Sequence, residues 1–156
     1  MPLIDPGAKA PALTLKDQHG KTHRLSEYAG RPVVLYFYPK DDTSGCTQEA
    51  CAFEAALPRF RKSKAVMLGV SILNEASKAR FATKHGLTFP LLADEDHAVA
   101  EKYGVWTERS LYGRKFMGIA RTTYLIDANG RVARRWDKVK VAGHADEVLA
   151  AVNALD

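Results

Sequence analysis

Cysteine is scarce in this sequence: 156 residues contain only two, Cys46 and Cys51. That is too few for the disulfide framework of a small secreted domain, and too few for a zinc site built from thiolates alone. The five histidines, His19, His23, His85, His97 and His144, are scattered and lack the paired spacing that metal ligation favours, so no metal is expected. No apolar run approaches the roughly 18 residues needed to span a bilayer, and the opening MPLIDPGAKAPAL lacks a basic start followed by an apolar core. A soluble, unsecreted, cytoplasmic protein is the expectation. The glycines show neither G-x-G-x-x-G nor P-loop spacing, so nothing asks for a nucleotide or other cofactor. Repeats, low-complexity tracts and long linkers are also missing, which leaves residues 1–156 to read as one domain with one core.

Charge is present in both signs. The 23 basic and 18 acidic residues leave a formal charge of +5. The densest basic stretch, Arg131 to Lys140, is interrupted by Val132, Ala133, Trp136, Asp137 and Val139, and no nucleic-acid-binding signature accompanies it. A solvated strand face is the better reading, with neither nucleic acid nor membrane as a partner.

The order of elements argues for an α/β fold. Leu13–Leu15 and Thr22–Leu25 flank Asp17-Gln18-His19-Gly20 as a hairpin, and Ser26 starts a short helical turn. Val33–Phe37 is an apolar run without alternation, the pattern of a central strand buried on both faces. Cys46–Phe60 carries Ala50, Phe53, Leu57 and Phe60 at helical spacing. A second buried strand covers Ala65–Ile72, and Asn74 and Gly86 bound a helix over Glu75–His85. Phe89–Leu92 reads as a short strand, and Asp96 as the cap of a helix through Tyr103. Thr122–Ile126 and Arg131–Trp136 form a hairpin about Asn129-Gly130, which supplies positive φ angles. A helix over about 144–155 closes the chain. Strands alternating with helices imply a mixed sheet flanked by helices.

The chemistry concentrates between Pro39 and Cys51. A thiol attacks only as its thiolate, and a free cysteine with a pKa of about 8.5 is mostly protonated at neutral pH. Placing Cys46 in a first helical turn favours the anion, through unpaired backbone N–H groups and the positive end of the helix dipole. Thr43 can bring a hydroxyl near the sulfur, Gly45 allows close approach to the backbone, and Pro39 stiffens the turn and shields one side. Phe37, Tyr38, Phe53, Phe81, Phe89 and Trp106 read mostly as core, Tyr38 and Phe53 having the pocket mouth as an alternative, and His144 is expected to cap or flank the last helix.

The run Pro39-x-x-x-Thr43-x-x-Cys46 resembles the active-site motif of peroxiredoxins, and Cys46-Thr47-Gln48-Glu49-Ala50-Cys51 resembles their Q-type, or bacterioferritin comigratory, subgroup. Val33–Pro39, Gly69–Ser71, Phe89–Asp94, Tyr103–Trp106 and Gly118–Asp127 are similar to that subgroup in order and spacing, so the resemblance covers nearly the whole chain. It implies a thioredoxin-like fold with an N-terminal β-hairpin. It also implies a peroxidase in which Cys46 attacks hydrogen peroxide or an organic hydroperoxide, and Cys51 resolves the sulfenic acid as a disulfide. Thr43 would contact the peroxide, Arg121 would hold thiolate and peroxide oxygens together, and Glu49 would lie beside that arginine. The implied reductant is thioredoxin or a glutaredoxin-like dithiol, and the implied assembly a monomer or weak homodimer. Two departures stand out: Ser44 occupies a position more often proline, and Ile72-Leu73-Asn74-Glu75 lacks the usual aspartate, whose capping role Asn74 can take.

Two other functions compete. A disulfide oxidoreductase would use C-x-x-C, shorter than the spacing here. A holdase that has lost turnover would not need Pro39, Thr43, Cys46 and Arg121 intact.

Overall fold

The structure is a computed structural model that describes residues 2–155. In chain order the elements are β1 (Thr14–Lys16), β2 (Thr22–Arg24), a 3-10 turn (Leu25–Tyr28), β3 (Val33–Phe37), α1 (Ser44–Lys62), β4 (Val66–Ser71), α2 (Glu75–His85) and β5 (Leu91–Ala93). There follow α3 (Ala98–Lys102), β6 (Trp106–Leu111), β7 (Arg114–Ile119), β8 (Thr122–Ile126), β9 (Val132–Trp136) and α4 (His144–Asn153).

Seven strands form one mixed sheet in the order β2-β1-β5-β4-β3-β8-β9. The parallel part is β3–β4–β5, and β8 joins β3 antiparallel with Leu35 opposite Tyr124. The strand alternation of β3 sorts its residues into two cores. Val34, Tyr36 and Tyr38 face a cluster with Phe53, Leu57 and Phe60 of α1, Phe81 of α2, and Val148 and Leu149 of α4. Val33, Leu35 and Phe37 face Leu13, Val99 of α3, Tyr103 and Tyr124. A sheet covered on both sides explains why β3, β4 and β8 are buried at every position. Burying each such large apolar side chain contributes ~1.5–3 kcal/mol. The α/β architecture with a central mixed sheet, helices on both faces and an N-terminal hairpin is as expected.

Four local readings change. β5 begins at Leu91, not Phe89, because the Gln18 amide takes the hydrogen bonds a strand partner would make: it donates to Phe89 O (3.0 Å) and accepts from Leu91 N (2.8 Å). The expected helix through Tyr103 is only Ala98–Lys102, and its main cap is Asp94. That buried carboxylate accepts from Val99 N (3.2 Å) and Ala100 N (2.8 Å), while Asp96 reaches only Ala98 N. In the β8–β9 turn Gly130 alone adopts positive φ, at 78°, and Asn129 does not, so the tight two-residue turn is replaced by a longer connection closed by Asp127. The fourth change is an unexpected hairpin, β6–β7, which pairs Trp106–Leu111 with Arg114–Ile119 in a separate two-stranded sheet.

Candidate active site

β3 delivers the chain to one end of the sheet, where Pro39 to Thr43 form the turn into α1. Cys46 is the third residue of α1 and is buried at 1 % exposure. Glu49, one helical turn later and thus on the same face, is buried at 2 %. Arg121 enters from the link between β7 and β8 and spans the two. Its Nη1 donates to Glu49 Oε1 at 2.7 Å and its Nη2 to Cys46 Sγ at 3.3 Å. Gly45 makes this approach possible, since a Cβ there would lie 3.1 Å from Arg121 Nη2. The backbone of Arg121 is itself fixed, its carbonyl accepting from Val139 N.

Thr43 is the N-terminal cap residue of α1, but its side chain caps nothing; its hydroxyl turns back and donates to Lys40 O at 2.9 Å. Pro39 is half-buried on the turn. Cys51 lies on the same helix, exposed and unbonded, and Cys46 is likewise a free thiol. Tyr38 and Phe53 are core residues, as their default reading has it, and do not also line a pocket mouth. Both are buried in the core at 1 % and 0 % exposure, because β3 and α1 turn them inward beneath the site. His144 opens α4 and is also buried, its Nε2 paired with Thr123 Oγ1 at 2.8 Å. Burial, with Arg121 and Arg134 nearby, lowers its pKa to about 4.

A thiol held against a guanidinium at a helix N-terminus is the arrangement that stabilises a reactive thiolate. The sequence model of the AhpC/TSA family matches residues 6–135. The chain belongs to this family. It is a peroxiredoxin, a thiol-dependent peroxidase. The Bcp peroxiredoxin of Bacillus subtilis is 47% identical over 146 residues, 94% of this chain and 93% of its own. That of Escherichia coli K12 is 41% identical, covering 92% of each chain. Among solved peroxiredoxins, the bacterioferritin comigratory protein of Xanthomonas campestris superposes with a TM-score of 0.90 at 44% identity, covering 96% of this chain and 98% of its own. A cysteine-to-serine mutant of Xylella fastidiosa PrxQ gives 0.92 at 36% identity, covering 97% of this chain and 96% of its own. Among the described residues of this peroxiredoxin, no helix is long and apolar enough to cross a membrane.

Around the peroxiredoxin site lies a polar cluster that sequence reasoning missed. Asp41, buried in the turn, accepts from Tyr38 Oη, from Ser77 Oγ (2.7 Å) and from Lys78 Nζ (3.3 Å). Lys78 is fully buried and also donates to Ser71 Oγ. Burial pushes its pKa down, against the pull of Asp41. One signal was available: Lys78 shares a helical face with the buried Phe81 and Ala82, where an apolar residue belongs, and a lysine there needs a buried partner.

Glu49 carries a pH-dependent cost. Burial outweighs the attraction of Arg121 and raises its carboxyl from 4.5 to about 7, and its Oε2 has no hydrogen-bond partner among the described residues. Between these values the folded chain keeps a proton that the unfolded chain has released. Folding is therefore undisturbed at acid pH and loses stability as pH rises through about 7, by on the order of 3 kcal/mol in total. Glu49→Gln removes that cost. Its melting temperature should equal the parent's near pH 4 and exceed it by about 5–10 °C at pH 8. Parallel melting curves at both pH values would dispose of this account of Glu49.

Proposed function

We propose that Cys46 is the peroxidatic nucleophile, Cys51 the resolving thiol, and Arg121 the group that binds the reacting oxygens. The contact of Arg121 Nη2 with Cys46 Sγ, 3.3 Å at the start of α1, carries this reading. The thiolate attacks the terminal oxygen of a hydroperoxide. The S–O bond forms, the O–O bond breaks, and the departing oxygen leaves as water or alcohol after taking a proton. Charge moves from sulfur to that oxygen, and a fixed guanidinium with several donors serves both ends of the transfer. The free N–H groups of the first turn of α1 are the further donors for the peroxide oxygens, the Thr43 hydroxyl, whose own proton goes to Lys40 O, can accept from the peroxide O–H, Pro39 covers one side, and Glu49 orients Arg121.

Cys51 then attacks the sulfenic acid. An S–S bond forms, the S–O bond breaks and water leaves. A thioredoxin or glutaredoxin-like dithiol reduces the disulfide by exchange, so that two electrons pass from dithiol to peroxide in each cycle. Two free thiols suit a reducing cytoplasm. Organic hydroperoxides are included as substrates because the X. campestris neighbour is described as reducing alkyl peroxides.

This cycle requires α1 to open. Residues five apart on a regular helix have Cα atoms roughly 8.6 Å apart, whereas a disulfide spans about 4.4–6.8 Å. The first turn is built to yield: Thr43 does not cap it, it contains no acidic residue, and Ser44 and Gly45 begin it. Peroxide-treated protein should show the Cys46–Cys51 disulfide on peptide mapping, with amides of residues 44–55 losing hydrogen-exchange protection relative to the reduced form. Cys51 left free, with Cys46 joined to an external thiol, would reduce the cycle to a one-cysteine mechanism. A 46–51 disulfide with unchanged protection would refute the opening.

A further inference from the structure

The turn before α1 is gripped by α2 at two adjacent carboxylates, and the two grips differ in kind. Asp41 is sealed inside, held by Ser77 and Lys78 near the start of α2 as well as by Tyr38 and Ser71. Asp42 reaches the last turn of the same helix from outside: its Oδ2 accepts from Lys84 Nζ at 2.8 Å and its Oδ1 pairs with His85 Nε2 at 2.9 Å. Those side-chain hydrogen bonds, Lys84 first, hold the Asp42 carboxyl below its ordinary pKa. Both partners of the Asp42–Lys84 pair are well exposed, and solvent can replace either.

Asp42 also has a backbone that needs holding. Its φ is 58°, in the left-handed region, which aspartate visits more readily than most residues with a Cβ but still at a cost relative to extended backbone. It directly precedes Thr43, the residue from which α1 starts, and Thr43 O accepts the first helical hydrogen bond, from Thr47 N, at 2.8 Å. The direction in which the chain leaves Asp42 therefore aims the first turn of α1, and with it Cys46. If that turn unwinds, Asp42 is free to relax to an extended conformation, and its carboxylate then swings away from Lys84 and His85.

We propose that Asp42 is a positioning residue: its grip on Lys84 and His85 is a latch that holds α1 wound, while the buried Asp41 cluster stays in place as the fixed point about which the turn opens. This rests on the Cys46–Cys51 cycle proposed above. The rate of disulfide formation follows the fraction of molecules that are unwound, so the latch slows resolution. A sulfenate kept in the wound site stays exposed to a second hydroperoxide. That reaction forms another S–O bond, breaks the O–O bond, releases water or alcohol and leaves sulfinate. The latch thus sets how much peroxide the protein withstands before Cys46 is over-oxidised.

The test compares the parent with Lys84→Ala/His85→Ala and with the charge reversal Lys84→Glu, all with hydrogen peroxide. Lys84 is exposed and His85 packs its ring edge against Phe81, neither touches the reacting groups, and Lys84→Glu leaves that packing in place should His85→Ala disturb it. Attack by Cys46, measured with Cys51→Ser added to each chain, should stay within about twofold of the parent, while disulfide formation in the Cys51 chains accelerates about threefold or more. The sulfinate fraction at a fixed peroxide dose, read by mass spectrometry, should fall in step. Raising ionic strength should speed resolution in the parent and not in Lys84→Ala/His85→Ala, since salt screens an exposed pair. Resolution that is unchanged or slower overturns the latch. So does a parallel drop in attack and resolution, which would mark a merely structural role. If the parent forms no 46–51 disulfide at all, the cycle itself fails; a normal parent disulfide with unaltered variant rates overturns the latch alone.

Discussion

Cys46→Ser is expected to bring peroxide consumption down to the rate of the uncatalysed solution reaction. The substitution removes one atom type and nearly nothing else: serine fits the same buried space and leaves Arg121 and Glu49 in place. What goes is the proposed nucleophile. A serine hydroxyl is not ionised at neutral pH, and among the described residues no histidine or other general base contacts this position to activate it. Cys51 cannot stand in, because it lies exposed on α1 without the guanidinium that touches Cys46. Removing the nucleophile of an enzyme costs on the order of a millionfold in turnover where it has been measured, and a loss of that size places the variant below detection in a coupled thioredoxin assay. Cys51→Ser should behave differently, consuming one equivalent of peroxide per chain in a first turnover and then stalling with a protein dithiol. The assignment is wrong if Cys46→Ser retains several per cent of parental turnover, and the roles are exchanged if Cys51→Ser alone abolishes the first turnover.

Elements whose signal is local were legible in the sequence. Val33–Phe37 stood out because both faces of the strand are apolar, and Glu75–His85 because Asn74 and Gly86 mark its ends; Asn74 does accept from Ser77 N at 2.9 Å and Gly86 is left-handed at φ 66°. The β6–β7 hairpin gave no such signal. Glu108, Arg109, Ser110, Arg114 and Lys115 are exposed, so neither face shows the apolar alternation of a half-buried strand. Its turn places Tyr112 at φ 51° before Gly113 at φ 78°, a tyrosine where asparagine or aspartate ordinarily advertises this conformation. Gln18 shortening β5 is a long-range effect of the same kind, invisible without its partner 73 residues away.

The site divides along the same line. That Cys46 sits at a helix N-terminus follows from the apolar spacing of Ala50, Phe53, Leu57 and Phe60 and from the polar turn before it. Nothing local says that Arg121, 75 residues away, will touch its sulfur, and that pairing came from resemblance alone. The Asp41–Lys78 pair shows what was overlooked. The chain places a lysine at an apolar helical position and an aspartate in a turn beneath the sheet end, and each is intelligible only as the other's counter-charge. Buried charges are thus poor targets for pattern reading, since the reason for each lies elsewhere in the chain.

Arg121→Met is expected to slow oxidation of Cys46 by hydrogen peroxide by about 10²–10³-fold, the range found when a preorganised donor is withdrawn from developing charge. Methionine keeps much of the apolar stem of arginine, so packing between β7 and β8 is largely preserved and the loss reports on the guanidinium. Two contacts go together: Nη2 with Cys46 Sγ, and Nη1 with Glu49 Oε1. In the proposed mechanism, the sulfur then loses its cation and the departing oxygen its donor. Glu49 loses the partner that favours its ionised form, and burial then keeps its carboxyl protonated to higher pH, so no stranded charge remains to unfold the site. Reduction of the preformed disulfide by a dithiol does not involve Arg121 and should be unaffected. Arg121→Lys is the discriminating companion. It restores a positive charge, but a single ammonium lacks the planar fork that reaches sulfur and carboxylate at once, so only part of the rate returns, and a deficit of about tenfold should persist. Single-turnover kinetics in the Cys51→Ser background isolate the attack step for all three chains. A rate in Arg121→Met within a few-fold of the parent would take Arg121 out of the reaction, whatever its distance from Cys46. Full recovery in Arg121→Lys would mean that charge alone is needed and that the fork geometry is incidental.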